Sequence, residues 1–164
     1  MNANEDTLRR FYEAFSRRDA ATMAACYAPD VQFSDPVFTD LRGPQAGLMW
    51  KMLCERGKDL KIEFRDVRAD GASGSAHWEA WYTFSTTGRK VHNVIDASFE
   101  FRDGRIVRHT DRFDLYRWAR QALGPAGVLL GWTPLLQNKV RAMAAKGLAD
   151  YQRNSKPTEP TQRS

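Results

Sequence analysis

The chain has 164 residues, of which 42% are hydrophobic and 12% aromatic, and its formal net charge is +5. This length and composition predict one globular domain with a sizeable core and exclude an intrinsically disordered chain. The two cysteines, Cys26 and Cys54, have neither metal-ligand spacing nor the numbers for a disulfide framework. We therefore expect no metal site, and no sequence motif indicates a cofactor.

The ends and the charge pattern predict a soluble, cytoplasmic protein. The opening residues, MNANEDTLRR, carry charges where a signal peptide needs an apolar segment. The longest apolar run, 128–136, is too short to cross a bilayer, so a membrane partner is not expected. The arginines recur singly or in pairs along predicted helices, without a nucleic-acid-binding module. We therefore expect no nucleic-acid partner.

Helical patterns dominate the N-terminal third. The predicted elements are helices over 5–17, 19–27 and 43–56, with a short strand at 31–33. The first helix is amphipathic, because its apolar side chains recur at intervals of three and four residues: Leu8, Phe11, Tyr12, Phe15. The short strand ends in Ser34-Asp35-Pro36, where Asp35 can serve either as a turn residue or as a functional carboxylate.

A β-rich segment follows these helices. Long antiparallel strands are predicted over 60–68, 75–86, 90–102 and 105–115. The turn between the last two contains Asp103-Gly104, a strong hairpin signal. Helices followed by such strands predict an α+β fold in which a strongly curved antiparallel sheet wraps around the N-terminal helices.

Alternation along the strands assigns side chains to opposite faces. Asp96 lies mid-strand among apolar residues, and in the next strand His109, Asp111 and Phe113 share one face. Trp81 points away from its neighbouring aromatic residues, so both faces of the sheet carry apolar bulk. Since one set of helices covers one face, we expect a homodimer through the other.

Beyond the strands the sequence predicts a helical extension over 117–151 and a flexible tail over 152–164. The glycine- and proline-containing stretch 123–127 predicts a hinge. Segment 128–136 carries many large apolar residues, so we expect it to fold back over an apolar surface of its own subunit. The basic sequence around it leaves membrane-surface docking as the alternative.

The order of elements resembles the cone-shaped, cystatin-like α+β roll of the nuclear transport factor 2-like superfamily, over residues 5–116. This superfamily includes ketosteroid isomerases and SnoaL-like polyketide cyclases. VQFSDPV resembles the isomerase segment that holds the proton-shuttling base, which implies that role for Asp35. VIDASFEF resembles the isomerase strand whose Asp donates to the developing oxyanion, which implies that role for Asp96.

Two features separate this sequence from the isomerase. Where the isomerase has an oxyanion-binding Tyr on its first helix, this chain has Phe11, and the adjacent Tyr12 is rotated by about 100°. Authentic steroid isomerisation is therefore not expected. RIVRHTDRF resembles the SnoaL-like pattern with an acid or base on the last strand, which implies roles for His109 and Asp111. Limonene-epoxide hydrolase, a further relative, pairs carboxylates through an arginine, and the open candidates are Arg89, Arg108 and Arg112.

The resemblance and the residues together predict a binding site for a small apolar molecule. The expected wall residues are aromatic: Phe11, Phe15, Trp50, Trp81, Phe113. The leading hypothesis is a cofactor-independent acid–base enzyme of isomerase, cyclase or hydratase type, acting on a carbonyl or epoxide compound. The alternative is a non-catalytic ligand-binding or structural member of the same superfamily.

Overall fold

The computed structural model describes residues 2–154. Its helices are α1 Ala3–Ser16, α2 Ala20–Ala25, α3 Pro44–Arg56, α4 Leu115–Leu123, α5 Pro125–Leu130 and α6 Pro134–Asn154. Its strands are β1 Tyr27–Ser34, β2 Leu41–Arg42, β3 Lys61–Ala69, β4 Ser73–Phe84, β5 Arg89–Arg102 and β6 Arg105–Arg112. The predicted tail begins within α6, and its residues 155–164 lie outside the described residues.

The strands form one curved sheet in the order β2-β1-β6-β5-β4-β3. Every neighbouring pair is antiparallel except β1 and β6, which run parallel. The chain crosses to the far edge through α3 and returns by three hairpins, so β6 arrives beside β1 in the same direction. The predicted α+β roll is confirmed, but its sheet is mixed where a purely antiparallel one was expected.

Strand alternation and helix amphipathicity together build the core. Leu8, Phe11 and Phe15 of α1 are buried. They belong to the same buried cluster as Ile95 and Phe99 of β5. The hairpin before β6 turns at Asp103 and Gly104, which both have positive φ, as a two-residue turn that matches strand twist requires.

The C-terminal helices add a second, smaller cluster. Leu115, Trp118, Ala119 and Ala122 of α4 pack on the sheet beside Val91. Leu148 of α6 is buried in the main core. The predicted extension therefore packs on the domain.

The expectation that segment 128–136 folds back over its own subunit is wrong. Helix α5 approaches α4 through its glycines, because a Cβ at Gly127 would collide with the carbonyl of Ala119. This contact turns the large side chains of α5 outward, and Leu129 is 71% exposed. Leu135, in the first turn of α6, is 83% exposed. The segment lacks an apolar cover among the described residues.

The outer face of the sheet is mostly polar, but it also carries Val94 and Trp81. The Trp81 ring stacks on His92 at a centroid distance of 4.5 Å. Glu79 accepts hydrogen bonds from His92 Nε2 at 2.8 Å and from His77 Nε2 at 3.2 Å. The homodimer expected through this face stays a prediction.

Candidate active site

A cavity of about 330 Å³ lies between the inner face of the sheet and helices α3, α4 and α6. This volume falls within the range of small-molecule sites. Most of its wall is apolar, including Phe15, Trp50, Trp78, Ile95, Phe113, Trp118 and Met143. Polar side chains interrupt that wall, among them Asp35, Arg56, Tyr82, Asn93 and Asp111.

Asp35 reaches the cavity from the loop after β1. The backbone N–H groups of Val37 and Phe38 donate to its Oδ1 at 2.7 and 2.6 Å, which closes the turn expected of an Asp-Pro pair. Its Oδ2 has no donor among residues 2–154. One oxygen thus holds the turn, and the other is available to a ligand.

Burial and the neighbouring Asp111 raise the pKa of Asp35. Desolvation is the larger cause, the charge of Asp111 adds to it, and the two backbone N–H donors oppose it, leaving a pKa of about 7. The pKa of Asp35 therefore lies well above the ordinary value of an aspartate. Near neutral pH this carboxyl can either give or accept a proton.

Asp111 is held by a buried chain of hydrogen bonds. Its Oδ1 accepts from His109 Nε2 at 2.9 Å and from Trp78 Nε1 at 3.3 Å. Behind the imidazole, Tyr27 Oη lies 2.8 Å from His109 Nδ1 and accepts from Trp50 Nε1 at 2.7 Å. Because the Trp50 indole donates to the Tyr27 oxygen, the phenolic proton of Tyr27 is free to point to His109 Nδ1. This assigns the proton of the neutral imidazole to Nε2, facing Asp111.

Tyr82 contributes a further donor. Its hydroxyl accepts a hydrogen bond from Trp118 Nε1 at 2.8 Å, and no group in residues 2–154 accepts the phenolic proton. Burial is the main cause that raises the pKa of Tyr82 to about 12, with the charge of Asp35 adding to it. The phenol is thus a neutral hydrogen-bond donor beside Asp35.

The structure does not bring Asp96 or Trp81 to this cavity. Asp96 is exposed on the outer face, where its Oδ1 lies 2.9 Å from His77 Nδ1. Its strand neighbours Ile95 and Ala97 are buried on the inner face. The placement of Asp96 as an oxyanion donor in the cavity is therefore wrong, and Trp81 does not form part of the wall.

The remaining candidates divide between wall and support. Phe15, Trp50 and Phe113 line the cavity as expected. Phe11 is fully buried behind Trp50, with their ring centroids 5.9 Å apart, and lies outside the wall. His109 is also fully buried, lies outside the wall and donates a hydrogen bond to Asp111.

None of the three arginines considered as partners of the carboxylates lines the cavity. Arg89 donates to the backbone carbonyl of Gln121, while Arg108 and Arg112 are exposed on the outer side of β6. The arginine at the cavity is instead Arg56 of α3, whose guanidinium lies 5.8 Å from the ring centroid of Tyr151.

Sequence reasoning missed Tyr82, Asn93 and Trp118 as site residues. Alternation indicated that Tyr82 shares a face with Trp78, which does line the cavity. Nothing in the sequence showed that Trp118, 36 positions later, would donate to its hydroxyl.

The match to known sequences extends over most of the core fold. A profile of the SnoaL-like domain matches residues 8–109, more than half of the chain. The chain belongs to the SnoaL-like domain family. Asp111 and helices α4–α6 follow the matched range. Part of the cavity wall is therefore formed by residues outside the matched SnoaL-like range. No curated protein matches the chain.

Solved structures share the SnoaL-like fold at low identity. A nuclear transport factor 2-like protein of unknown function from Burkholderia pseudomallei is 23% identical, with a TM-score of 0.64 over 74% of this chain and 98% of its own. An epoxide hydrolase of limonene-epoxide hydrolase type from M. tuberculosis is 22% identical, with a TM-score of 0.58 over 82% and 95%. A candidate polyketide cyclase from Xanthomonas campestris is 24% identical, with a TM-score of 0.61 over 73% and 96%.

Proposed function

We propose that this SnoaL-like protein is a cofactor-independent acid–base enzyme acting on a small, largely apolar carbonyl or epoxide compound. The observation that carries the proposal is the convergence of Asp35, Asp111 and Tyr82 on one apolar cavity. Two carboxyl groups in such a cavity are costly unless they are paired or used. In both carboxyl groups Oδ1 accepts two hydrogen bonds and Oδ2 has no donor among residues 2–154. The pKa of about 7 favours Asp35 as the group that exchanges a proton near neutral pH.

The chemistry assigns different roles to these groups. Ionised Asp35 would take a proton from the carbon next to a carbonyl, and the phenol of Tyr82 would donate to the oxygen on which negative charge develops. On an epoxide, ionised Asp35 would deprotonate an attacking water while Tyr82 donates to the ring oxygen. Both reactions need one base and one donor in a site of low water content.

The proposal is tested with generic probes, because no natural substrate is assigned. Proton exchange next to the carbonyl of 2-tetralone in D₂O, followed by NMR, measures proton abstraction. Hydrolysis of styrene oxide measures the epoxide reaction. We expect turnover of at least one probe, lost in Asp35→Asn and kept in Asp96→Asn, whose carboxylate lies outside the cavity.

Other outcomes separate the two hypotheses. Saturable binding of either probe without turnover would overturn the enzyme assignment and support a ligand-binding role. Turnover lost equally in Asp35→Asn and Asp96→Asn would contradict the assignment of the base. Circular dichroism of both variants checks that the fold is retained.

A further inference from the structure

Five large apolar side chains stand exposed together on the C-terminal extension. They are Val128, Leu129 and Leu130 of α5, Trp132 of the linker and Leu135 of α6, here called the α5 patch, and they are between 49% and 83% exposed. Scattered apolar residues are normal at a surface, but five within eight positions indicate an interaction site.

The orientation of α5 follows from its glycines. The carbonyl of Ala119 excludes a Cβ at Gly127, and Tyr116 and Ala119 crowd Gly131. The Tyr116 hydroxyl also donates to the carbonyl of Val128 at 3.0 Å. The helix therefore buries its smallest residues against α4 and directs its large ones to solvent, the reverse of an ordinary surface helix.

The charge around the α5 patch is positive and uncompensated. Residues 115–149 contain no Asp or Glu but five cations: Arg117, Arg120, Lys139, Arg141, Lys146. The whole chain has 25 Lys and Arg and 20 Asp and Glu, an excess of five cations. The five cations of this segment equal that excess, so the rest of the chain is neutral in sum. Arg120 lies 5.0 Å from the ring of Tyr116, beside α5.

We infer that the α5 patch docks on an anionic lipid surface. Segments that lie in the membrane interface typically expose Leu and Trp and are flanked by Arg and Lys. No helix among residues 2–154 is long and apolar enough to cross a membrane, so docking is peripheral. Burial of the patch and attraction of the cations to acidic headgroups act together.

A second copy of the chain fits the patch less well. In a two-fold dimer the same surface occupies both sides of the interface, so the acid-free segment would face itself. Like charges would then oppose the apolar contact, whereas an anionic bilayer offers both acyl chains and negative charge. The two occupants can be separated by experiment.

The test uses the full chain and two kinds of vesicle, pure phosphatidylcholine and phosphatidylcholine mixed with phosphatidylglycerol. We expect co-sedimentation with the mixed vesicles, weaker with phosphatidylcholine alone and reduced by salt. The variant Leu129→Ser/Trp132→Ser/Leu135→Ser should lose it, and circular dichroism checks its fold. Vesicle binding needs no substrate, so it is independent of the acid–base chemistry.

A matched charge pair sharpens the test. Lys139→Gln/Lys146→Gln should weaken binding to the mixed vesicles by roughly thirtyfold, at about 1 kcal/mol for each cation. Lys51→Gln/Arg105→Gln removes the same charge from exposed positions outside the segment and should keep most of the binding. Absence of binding, or equal losses in both pairs, would overturn the proposal. So would a wild-type dimer that the apolar variant dissociates.

Discussion

Asp35 lies beside Asp111 because Ser34 pairs in parallel register with Thr110, the residue before Asp111. The register brings both carboxyl groups to the same end of the sheet. Their mutual repulsion, added to desolvation, raises the pKa of Asp35 to about 7. Two predictions depend on this relationship.

The first concerns stability and pH. Asp35 binds its proton more tightly in the folded chain, with a pKa of about 7, than in the unfolded chain, at about 3.9. The contribution of this group to stability is therefore fully present below pH about 4 and is lost as the pH rises through about 7. Above neutral pH, the free energy of unfolding of Asp35→Asn should thus exceed that of the wild type by up to about 4 kcal/mol.

Urea denaturation of wild type and Asp35→Asn at several pH values measures this difference. The stability gap should widen between acidic and alkaline pH, because only the wild type must bury a charge. A gap that stays constant with pH would contradict the raised pKa. Asp96→Asn, at an exposed site, controls for a general effect of removing one carboxylate.

The second prediction concerns the coupling itself. Asp111→Asn removes the like charge beside Asp35, so the pKa of Asp35 should fall below the wild-type value of about 7 while desolvation keeps it above the usual range. NMR titration of the Asp35 carboxyl carbon reports this shift directly. An unchanged midpoint would show that Asp111 does not act on Asp35.

The third prediction concerns Tyr82. Tyr82→Phe keeps the ring in the wall but removes the proton that no group in residues 2–154 accepts. Turnover of the carbonyl probe should fall by about 10²–10³-fold, the effect of deleting one oxyanion donor. Tyr116→Phe removes a phenol outside the cavity wall and should leave turnover unchanged. Equal turnover in wild type and Tyr82→Phe would exclude the donor role.

The fourth prediction concerns His109. His109→Phe would leave the Tyr27 proton and Asp111 Oδ1 each short of one buried hydrogen bond. The free energy of unfolding should drop by about 2–4 kcal/mol, measured by urea denaturation. His77→Asn on the outer face should cost under about 1 kcal/mol, since its partly exposed ion pairs contribute little. Similar losses of unfolding free energy in the two variants would contradict a special role for the buried chain of hydrogen bonds.

The fifth prediction concerns Gly147 on α6, which lines the cavity with open space around it: the nearest atom to an added Cβ is Arg56 Nη1 at 3.9 Å. Gly147→Leu should narrow the cavity without straining the backbone, because its φ is not positive. Affinity for the larger probe, 2-tetralone, should fall more than affinity for styrene oxide, measured by calorimetry. Ala145→Leu, exposed on the same helix, should change neither affinity.

Local rules in the sequence determined most elements of the fold. Alternation separated Ile95 and Phe99 from Asp96, and the Asp103-Gly104 turn fixed the register of the last hairpin. Asp35 before Pro36 marked a turn next to a strand end. These features depend on neighbours within a few residues, so the sequence carries them directly.

Tertiary packing decided which of these residues share a site. A period of two sorts side chains into two faces but does not say which face meets the helices, and Asp96 lies on the other one. The pKa of Asp35 depends on Asp111, 76 positions away, through the parallel pairing of β1 with β6. The outward orientation of Val128, Leu129 and Leu130 likewise follows from the contact of Gly127 with α4, because a glycine can approach another backbone where no larger residue fits.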